Sequence, residues 1–159
     1  MVATDGGDYT YVDPVRSVGF NRYALHVGPT NSIAWSPSGM AATGGADGVV
    51  VLLDTIRNRI NAGRRIDIAP RNLELAPDGT TLTWVDGKGN IAVSLLDDGG
   101  RITRTTPIGH VVDPLDLANL GDLGVAVTDT KGALVVLRSD GSTLRAAATS
   151  GAQITELIR

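Results

Sequence analysis

The sequence predicts an all-β fold, and the first of three supporting observations is an internal repeat. The segments 31–54, 72–97 and 115–140 share one order of apolar runs and turn residues. The second observation is that every apolar run is short, as strands are, and the third is the content of twenty glycines among 159 residues. Repeats of about 40 to 45 residues built this way are typical of β-propeller blades. We therefore expect three to four four-stranded antiparallel blades that form a half or partial propeller.

Turn residues fix the period of the repeat. Pro37 and Pro77 stand 40 positions apart, and Asp54, Asp97 and Asp140 follow one another at intervals of 43. The three repeats are expected at about 23–68, 69–106 and 107–148, between an N-terminal segment 1–22 with possible extra strands and a C-terminal strand or tail 149–159.

Each copy predicts the same succession of strands and turns. A Pro-containing turn follows the first strand in Ser36–Gly39 and Ala76–Gly79, where Pro presets φ and Gly closes the turn. The third strand is a near-continuous run of Val, Leu and Ile, which indicates burial on both faces. The first strands are expected at 32–36, 73–76 and 115–118, the second at 40–43, 81–85 and 124–128, and the third at 49–54, 91–96 and 133–138.

The outer strands are predicted with less support because their sequences are more polar. Solvent on one side of an outer strand explains this polarity. The segment 54–62 is expected as a long extended loop, with a short helix as the alternative. Outer strands are expected at 64–68, 101–105 and 143–148, and further strands at 9–12, 18–26 and 153–158.

Composition narrows the classes of partner. The formal net charge is −3 and the isoelectric point about 5.2, so no nucleic-acid partner is expected. The basic residues of 57–65 are interpreted as solvated loop charge.

The absence of cysteine excludes disulfides, thiolate metal sites and cysteine nucleophiles. No apolar run approaches the length of a membrane helix, so no membrane contact and a cytoplasmic location are expected.

The first copy carries the residues of a family resemblance. His26 is followed by Ile-Ala-Trp-Ser-Pro-Ser-Gly at 33–39, by Thr-Gly-Gly-Ala-Asp-Gly at 43–48, and by the apolar strand 49–54. This succession resembles the WD-repeat family of β-propellers, and the resemblance covers roughly residues 23–148. It implies a propeller and says almost nothing about ligands, since one fold serves many functions.

The resemblance also implies a hydrogen-bond network inside each blade. In that family a Gly-His pair opens the repeat, and an Asp in the second hairpin turn bonds to the His. The resemblance therefore pairs His26 with Asp47 and His110 with Asp129, while Asp86 in the second copy has no His. The closing Trp-Asp dipeptide of the family is missing from all three copies, so the implied network is partial.

Three copies are too few for a closed ring, because propellers usually have four to eight blades. An open arc exposes apolar sheet faces at both ends, and such exposure drives association. We therefore expect a homodimer or another protein partner. A fourth blade assembled from both termini, closing a small ring, is the alternative.

No residues assemble into a recognisable reaction centre or cation site, so no enzyme activity, metal or cofactor is expected. His26 and His110 are the only histidines, and both stand just before a first strand, which gives them a structural role. The acidic Gly-rich segments 5–8 and 97–100 lack the alternating oxygen ligands of a calcium loop and are interpreted as turns.

The candidate interaction residues are Trp35, Trp84, Arg57 and Arg59. Tryptophan is over-represented at binding hot spots, although packing between blades is the alternative explanation for both tryptophans. The function expected is a non-catalytic protein-interaction module that serves as a scaffold, sensor or regulatory part of a larger assembly.

Two other functions stay open on the sequence alone. One is a small-ligand-binding protein or hydrolase whose site forms on the central axis of a dimer-closed propeller. In that case Asp47, Asp86 and Asp129 would line one end of the axis. The other is a structural subunit of a viral or secreted assembly.

Overall fold

The computed structural model describes residues 2–3, 6–13, 18–57, 59–65, 69–138 and 140–147, and these form four antiparallel sheets. The first sheet contains β1 (Val2–Ala3), β2 (Asp8–Asp13) and β3 (Val18–Ala24). Blade 1 contains β4 (Thr30–Trp35), β5 (Met40–Gly45), β6 (Val49–Asp54) and β7 (Arg59–Arg65). Blade 2 contains β8 (Pro70–Leu75), β9 (Thr81–Asp86), β10 (Asn90–Leu96) and β11 (Ile102–His110). Blade 3 contains β12 (Pro114–Asn119), β13 (Val125–Asp129), β14 (Ala133–Leu137) and β15 (Thr143–Ala147).

Each blade is a simple meander, in which every strand pairs with the next strand along the chain. The first strands lie closest to the neighbouring sheets: β4 and β5 contact β8, and β8 and β9 contact β12. The first strands therefore form the inner side of the row and the fourth strands its outer side. This architecture confirms the predicted partial β-propeller.

The turns follow from their sequences. The N–H of Gly39 donates to the carbonyl of Ser36, and the N–H of Gly79 donates to that of Ala76, both at 2.9 Å. Both glycines have positive φ, +87° and +75°, which a side chain would make costly. Blade 3 lacks the proline and forms a single turn of 3₁₀ helix, Gly121–Leu123, in its place.

Two apolar layers hold the blades together, one between blades 1 and 2 and the other between blades 2 and 3. The third strands are buried on both faces in blade 1, as the sequence predicted. The layer between blades 1 and 2 contains Ala34, Ala42, Val50, Leu52, Leu73, Leu75, Leu82, Trp84 and Ala92. The layer between blades 2 and 3 contains Val85, Ile91, Val111, Leu117, Val125, Val127, Val135 and Leu137.

The outer strands differ most from the predictions. β7 begins at Arg59, inside the segment expected as a loop, and not at position 64. The reason is a tight turn after β6, in which the Asp54 carboxylate accepts the N–H of Arg57 at 2.8 Å. Residue Arg59 then pairs directly with Asp54. β11 is nine residues long, ending at His110, because it follows β10 along its whole length.

The chain ends were predicted less completely than the repeats. Strands were expected at 9–12 and 18–26, and β2 and β3 lie there. The short strand β1 was not predicted. The expected strand at 153–158 lies outside the described residues. Among the described residues, no helix has the length and apolar character needed to cross a bilayer.

Candidate interaction surface

Among the described residues, the first sheet has the pattern of the second, third and fourth strands of a blade. In each blade, the first residue of the third strand pairs with the last residue of the fourth strand, as Asn90 pairs with His110 in blade 2. In the first sheet, Asp8 at the start of β2 pairs in the same way with Ala24 at the end of β3. Gly7 precedes β2 with φ +80°, as Gly89 precedes β10 with φ +89°. β1, β2 and β3 therefore correspond to the second, third and fourth strands of a blade, and β1 occupies the inner edge of its sheet.

The first strand of blade 1, β4, is more exposed than the first strands of the other two blades. Ile33 is 36% exposed and Trp35 is 55% exposed. Their equivalents in blade 2, counted from the turn after the first strand, are Leu73 at 0% and Leu75 at 4%. In blade 3, Leu117 is 0% exposed at the Ile33 position. Positions that a preceding blade covers elsewhere are thus uncovered in blade 1.

On the face of blade 1 that carries Ile33 and Trp35, the exposed side chains lie on the first strand, β4. Trp35 pairs with Ala41, which pairs with Leu53, so the three side chains lie on the same side of the sheet. Ala41 and Leu53 are buried, and Leu25, just after β3, packs against them. We call the side chains of Ile33 and Trp35 the open face of blade 1.

The two candidate arginines lie at the same end of blade 1 as Trp35. The N–H of Thr55 bonds to the carbonyl of Gly39 at 2.9 Å, which joins the turn after β6 to the turn after β4. Arg57 donates to the Asp54 carboxylate at 2.7 Å, and Arg59 lies 3.8 Å from it. The N–H and side chain of Arg57 together hold the pKa of Asp54 below its ordinary value.

Trp84 occupies a different environment from Trp35. It is 7% exposed in the layer between blades 1 and 2, and its indole N–H donates to the Ser94 hydroxyl at 3.3 Å. Trp84 therefore packs blades 1 and 2 together and is not part of an interaction surface. Sequence reasoning missed Ile33, which could have been found by aligning it with Leu73 and asking which strand covers it.

His26 forms a buried network within blade 1. Its Nε2 lies 2.9 Å from the Thr43 hydroxyl and its Nδ1 lies 3.2 Å from the Asp47 carboxylate. Burial alone would raise the pKa of Asp47, but the N–H groups of Val27 and Val49 and the nearby His26 outweigh it. The pKa of Asp47 therefore lies below its ordinary value. This network ties the entry to β4 to the hairpin turn between β5 and β6.

The other two hairpin carboxylates occupy a different position in the turn. Asp86 is the last residue of β9 and Asp129 the last of β13, where blade 1 has Gly45. Asp129 accepts the N–H groups of Lys131 and Ala133, both at 2.9 Å. Asp86 accepts the corresponding N–H groups in blade 2. Asp47, Asp86 and Asp129 are therefore not structurally equivalent, although the sequence spacing aligned them.

His110 does not contact Asp129, the partner that the resemblance implied. It is exposed, and its Nε2 lies 2.9 Å from the carbonyl of Lys88 in the hairpin turn of blade 2. Asp129 interacts instead with Arg145 on β15, at 3.2 Å. In the part of the chain that the structure describes, no three His, Asp or Glu side chains gather where they could hold a metal ion.

A cleft of about 570 Å³ lies between blades 2 and 3, at the end where their first strands turn back. Its walls are mostly apolar, with Arg104 and Asp78 at the border. Asn119 on its wall donates its N–H to Glu74 at 2.6 Å, which fixes the two first strands together. The amide of Asn119 also lies 3.2 Å from the hydroxyl of Thr81 in the neighbouring blade, so this polar group of the cleft serves the contact between the two blades.

Comparisons with known proteins agree with this architecture. No family model and no curated protein matches the sequence. Among solved structures, the β-propeller domain of Cps50 (Swd1) from Myceliophteria thermophila is similar, with a TM-score of 0.72 at 13% sequence identity. The match covers 87% of this chain and 47% of that one, so the chain spans about half of the propeller domain it resembles. At this identity the likeness establishes the fold alone: the chain is a partial β-propeller.

Proposed function

We propose that this chain is a non-catalytic interaction module that binds another protein chain through the open face of blade 1. The observation that carries the proposal is the exposure of Ile33 and Trp35 at positions that are buried in blade 2. A half-exposed tryptophan beside an isoleucine presents the kind of rigid apolar anchor that dominates protein interfaces. A scaffold, sensor or regulatory role in a cytoplasmic assembly is part of this proposal.

The partner's chemistry follows from the shape of the site. The first sheet leads into blade 1 through Leu25, which packs against Ala41 and Leu53 on the side that carries the open face, and among the described strands its β1 pairs only with β2. An apolar surface close to a sheet with an unpaired edge strand suits an extended peptide segment, which adds main-chain hydrogen bonds to apolar contacts. Arg57 and Arg59 are both exposed nearby and favour acidic residues at the border of that interface.

We also propose kinship with the WD-repeat propellers, on the geometry of His26. Its contacts with Thr43 and Asp47 connect the entry of the blade to a strand hydroxyl and a hairpin carboxylate. The contact with Asp47 is the one that the resemblance implied for the first copy. The departures in blades 2 and 3 leave blade 1 as the support for this kinship.

The ligand-binding alternative has no comparable support. It requires Asp47, Asp86 and Asp129 to face a central axis with free carboxylate oxygens. All three accept hydrogen bonds from their own hairpin turns, and Asp86 is fully buried. We therefore do not propose a site on the axis.

A photo-crosslinking experiment tests the proposed interaction surface. A benzophenone amino acid replaces Trp35 in one variant and Val112, which is 60% exposed in the connection before β12, in the control. In extract of the cells that produce the chain, irradiation is expected to give a discrete protein adduct from position 35 and none from position 112. Absence of any adduct at position 35, or equal adducts at both positions, would contradict the proposal.

A further inference from the structure

We infer that the cleft between blades 2 and 3 is a further binding site, which takes a peptide segment of a partner protein that combines an aliphatic side chain with a neighbouring carboxylate. The aliphatic side chain would enter the apolar cleft, and the carboxylate would pair with Arg104 at its border. The cleft is separate from the open face, since neither Ile33 nor Trp35 lines it. Binding there goes beyond the proposed function and does not depend on it.

The cleft lies at the end of the layer between blades 2 and 3, where its side chains differ from those between blades 1 and 2. Strand pairing identifies the equivalent positions. The layer between blades 1 and 2 has Met40, Leu52 and Leu75 at this end, and the next layer has Thr81, Val93 and Asn119. Each replacement is smaller or more polar, and a cleft of about 570 Å³ lies there. Such a volume suits a binding site, since ligand pockets measure about 300–1,000 Å³.

The charges at this end of blade 2 also differ from those of blade 1. In blade 1, Arg59 pairs across the strands with Asp54, whose buried carboxylate also binds Arg57. At the equivalent positions of blade 2, Arg104 pairs with Leu95. Blade 2 thus has the cation but an aliphatic side chain opposite it, and Arg104 has no ion pair with any described residue. A carboxylate supplied by a ligand would form the charge-assisted contact that blade 1 makes within itself.

The acid at the border of the cleft, Asp78, is occupied within its own turn. Its Oδ1 accepts the N–H of Thr80 at 2.9 Å and the hydroxyl of the same residue at 2.8 Å. These two bonds hold the pKa of Asp78 below its ordinary value. Asp78 therefore keeps its negative charge and repels a second carboxylate, so the ligand is expected to place its acid on the side of the cleft formed by β11, which carries Arg104.

Exposed apolar side chains extend beyond the cleft and favour a peptide over a small molecule. Leu95 on the wall from blade 2 is 45% exposed, although its strand pairs with a neighbour on both sides. Gly121 and Gly124 belong to the wall from blade 3, and the turn that joins them carries Leu123, which does not line the cleft and is 65% exposed. A small molecule enclosed in the cleft would leave Leu123 in water, whereas a peptide several residues long can cover both leucines.

The test selects ligands for the native chain from a library of random short peptides displayed on phage. The enriched peptides are expected to place Leu, Ile or Val close to Asp or Glu, and a labelled synthetic copy of one is then titrated by fluorescence anisotropy. Arg104→Glu reverses the charge and Leu95→Asp makes the apolar wall polar, so each is expected to weaken binding at least about tenfold. Arg71→Glu makes the same charge change at an exposed arginine of β8 outside the cleft and should bind normally. Circular dichroism verifies that each variant folds, and Arg104→Gln and Leu95→Ser replace any that does not.

Exchanging the charges distinguishes recognition by Arg104 from an effect on folding. A peptide whose acidic residue is replaced by Lys should lose affinity for the native chain and regain it for Arg104→Glu. No enrichment of acidic apolar peptides, binding that Arg104→Glu leaves unchanged, no recovery on charge exchange, or binding of decanoate in place of any peptide would overturn the inference.

The same titration separates the cleft from the open face. Trp35→Ala is expected to bind the peptide as the native chain does. If Trp35→Ala loses binding and Arg104→Glu keeps it, the peptide occupies the open face, so the inference fails and the proposed function stands. If the peptide requires Arg104 while position 35 gives no crosslink, the inference stands and the proposed function fails.

Discussion

Blades 1 and 2 have the same order of strands and the same kind of turn after the first strand, yet their faces toward the preceding sheet differ. In blade 2, Leu73 and Leu75 lie against Ala34, Ala42 and Leu52 of the preceding blade and are almost fully buried. In blade 1 the equivalent Ile33 and Trp35 are exposed, and among the described residues the sheet before them has only three strands. The comparison teaches that the same strand position lies in the core or at the surface according to what covers it from the preceding sheet.

Replacing Leu73 and its equivalent Ile33 by alanine should give the largest difference in the free energy of unfolding. Leu73→Ala removes a fully buried side chain from a packed layer, so the free energy of unfolding is expected to fall by about 2–5 kcal/mol. Ile33→Ala should cost less than about 1 kcal/mol in the monomer, because this side chain already contacts water. Chemical denaturation measures both, and equal losses would contradict the account of the open face.

The two histidines give a smaller contrast. His26→Ala leaves Thr43 and Asp47 without a buried partner, and a loss of about 1–3 kcal/mol in the free energy of unfolding is expected. His110→Ala removes one contact of an exposed ring and should change it by no more than about 0.5 kcal/mol. Thermal or urea unfolding of the two variants decides this. A greater loss for His110→Ala would be inconsistent with the network being confined to blade 1.

The His26 network also predicts a dependence of stability on pH. The pKa of Asp47 is below its ordinary value in the fold, so its contribution to stability is present above the unfolded pKa, about 3.9. That contribution is lost as the pH falls through the lower, folded pKa. Unfolding followed from pH 6 to about pH 3 should show a smaller decline for Asp47→Asn than for the native chain. Identical slopes would mean that Asp47 is not linked to folding.

The smallest effect on stability is expected at Trp35. Trp35→Ala removes a side chain that is more than half exposed, so the free energy of unfolding of the monomer should change by no more than about 0.5 kcal/mol. The main effect of Trp35→Ala is expected on association, because the substitution should weaken binding of the partner chain. A variant that unfolds readily as a monomer would place Trp35 in the core and refute the surface assignment.

The repeat made the blades predictable, because turn chemistry and apolar periodicity are local. Pro37 and Gly39 dictate one turn, and the run 49–54 is apolar enough to identify a central strand without any tertiary information. β7 was misplaced because its polar residues carry no such pattern, and its start depends on the turn that Asp54 forms with Arg57.

The candidate site was only partly predictable, for a different physical reason. Trp35 and Trp84 have the same residue type, and only the neighbouring strand determines that one is exposed and the other buried. Asp47 and Asp129 align by spacing, but two residues within the turn separate their structural positions. Contacts between sheets therefore determine which tryptophan is exposed, and the geometry of the hairpin turn determines where each aspartate lies.

The fluorescence of Trp35 tests the central claim most directly. The chain has two tryptophans, and subtracting the spectrum of Trp35→Phe from that of the native chain isolates Trp35 without altering the core around Trp84. At low concentration the difference spectrum is expected to be that of a water-exposed indole that acrylamide quenches readily. As association proceeds it should shift to shorter wavelength and lose its access to quencher. A Trp35 signal that is already shielded in the monomer, or that stays exposed when the chain associates, would contradict the account.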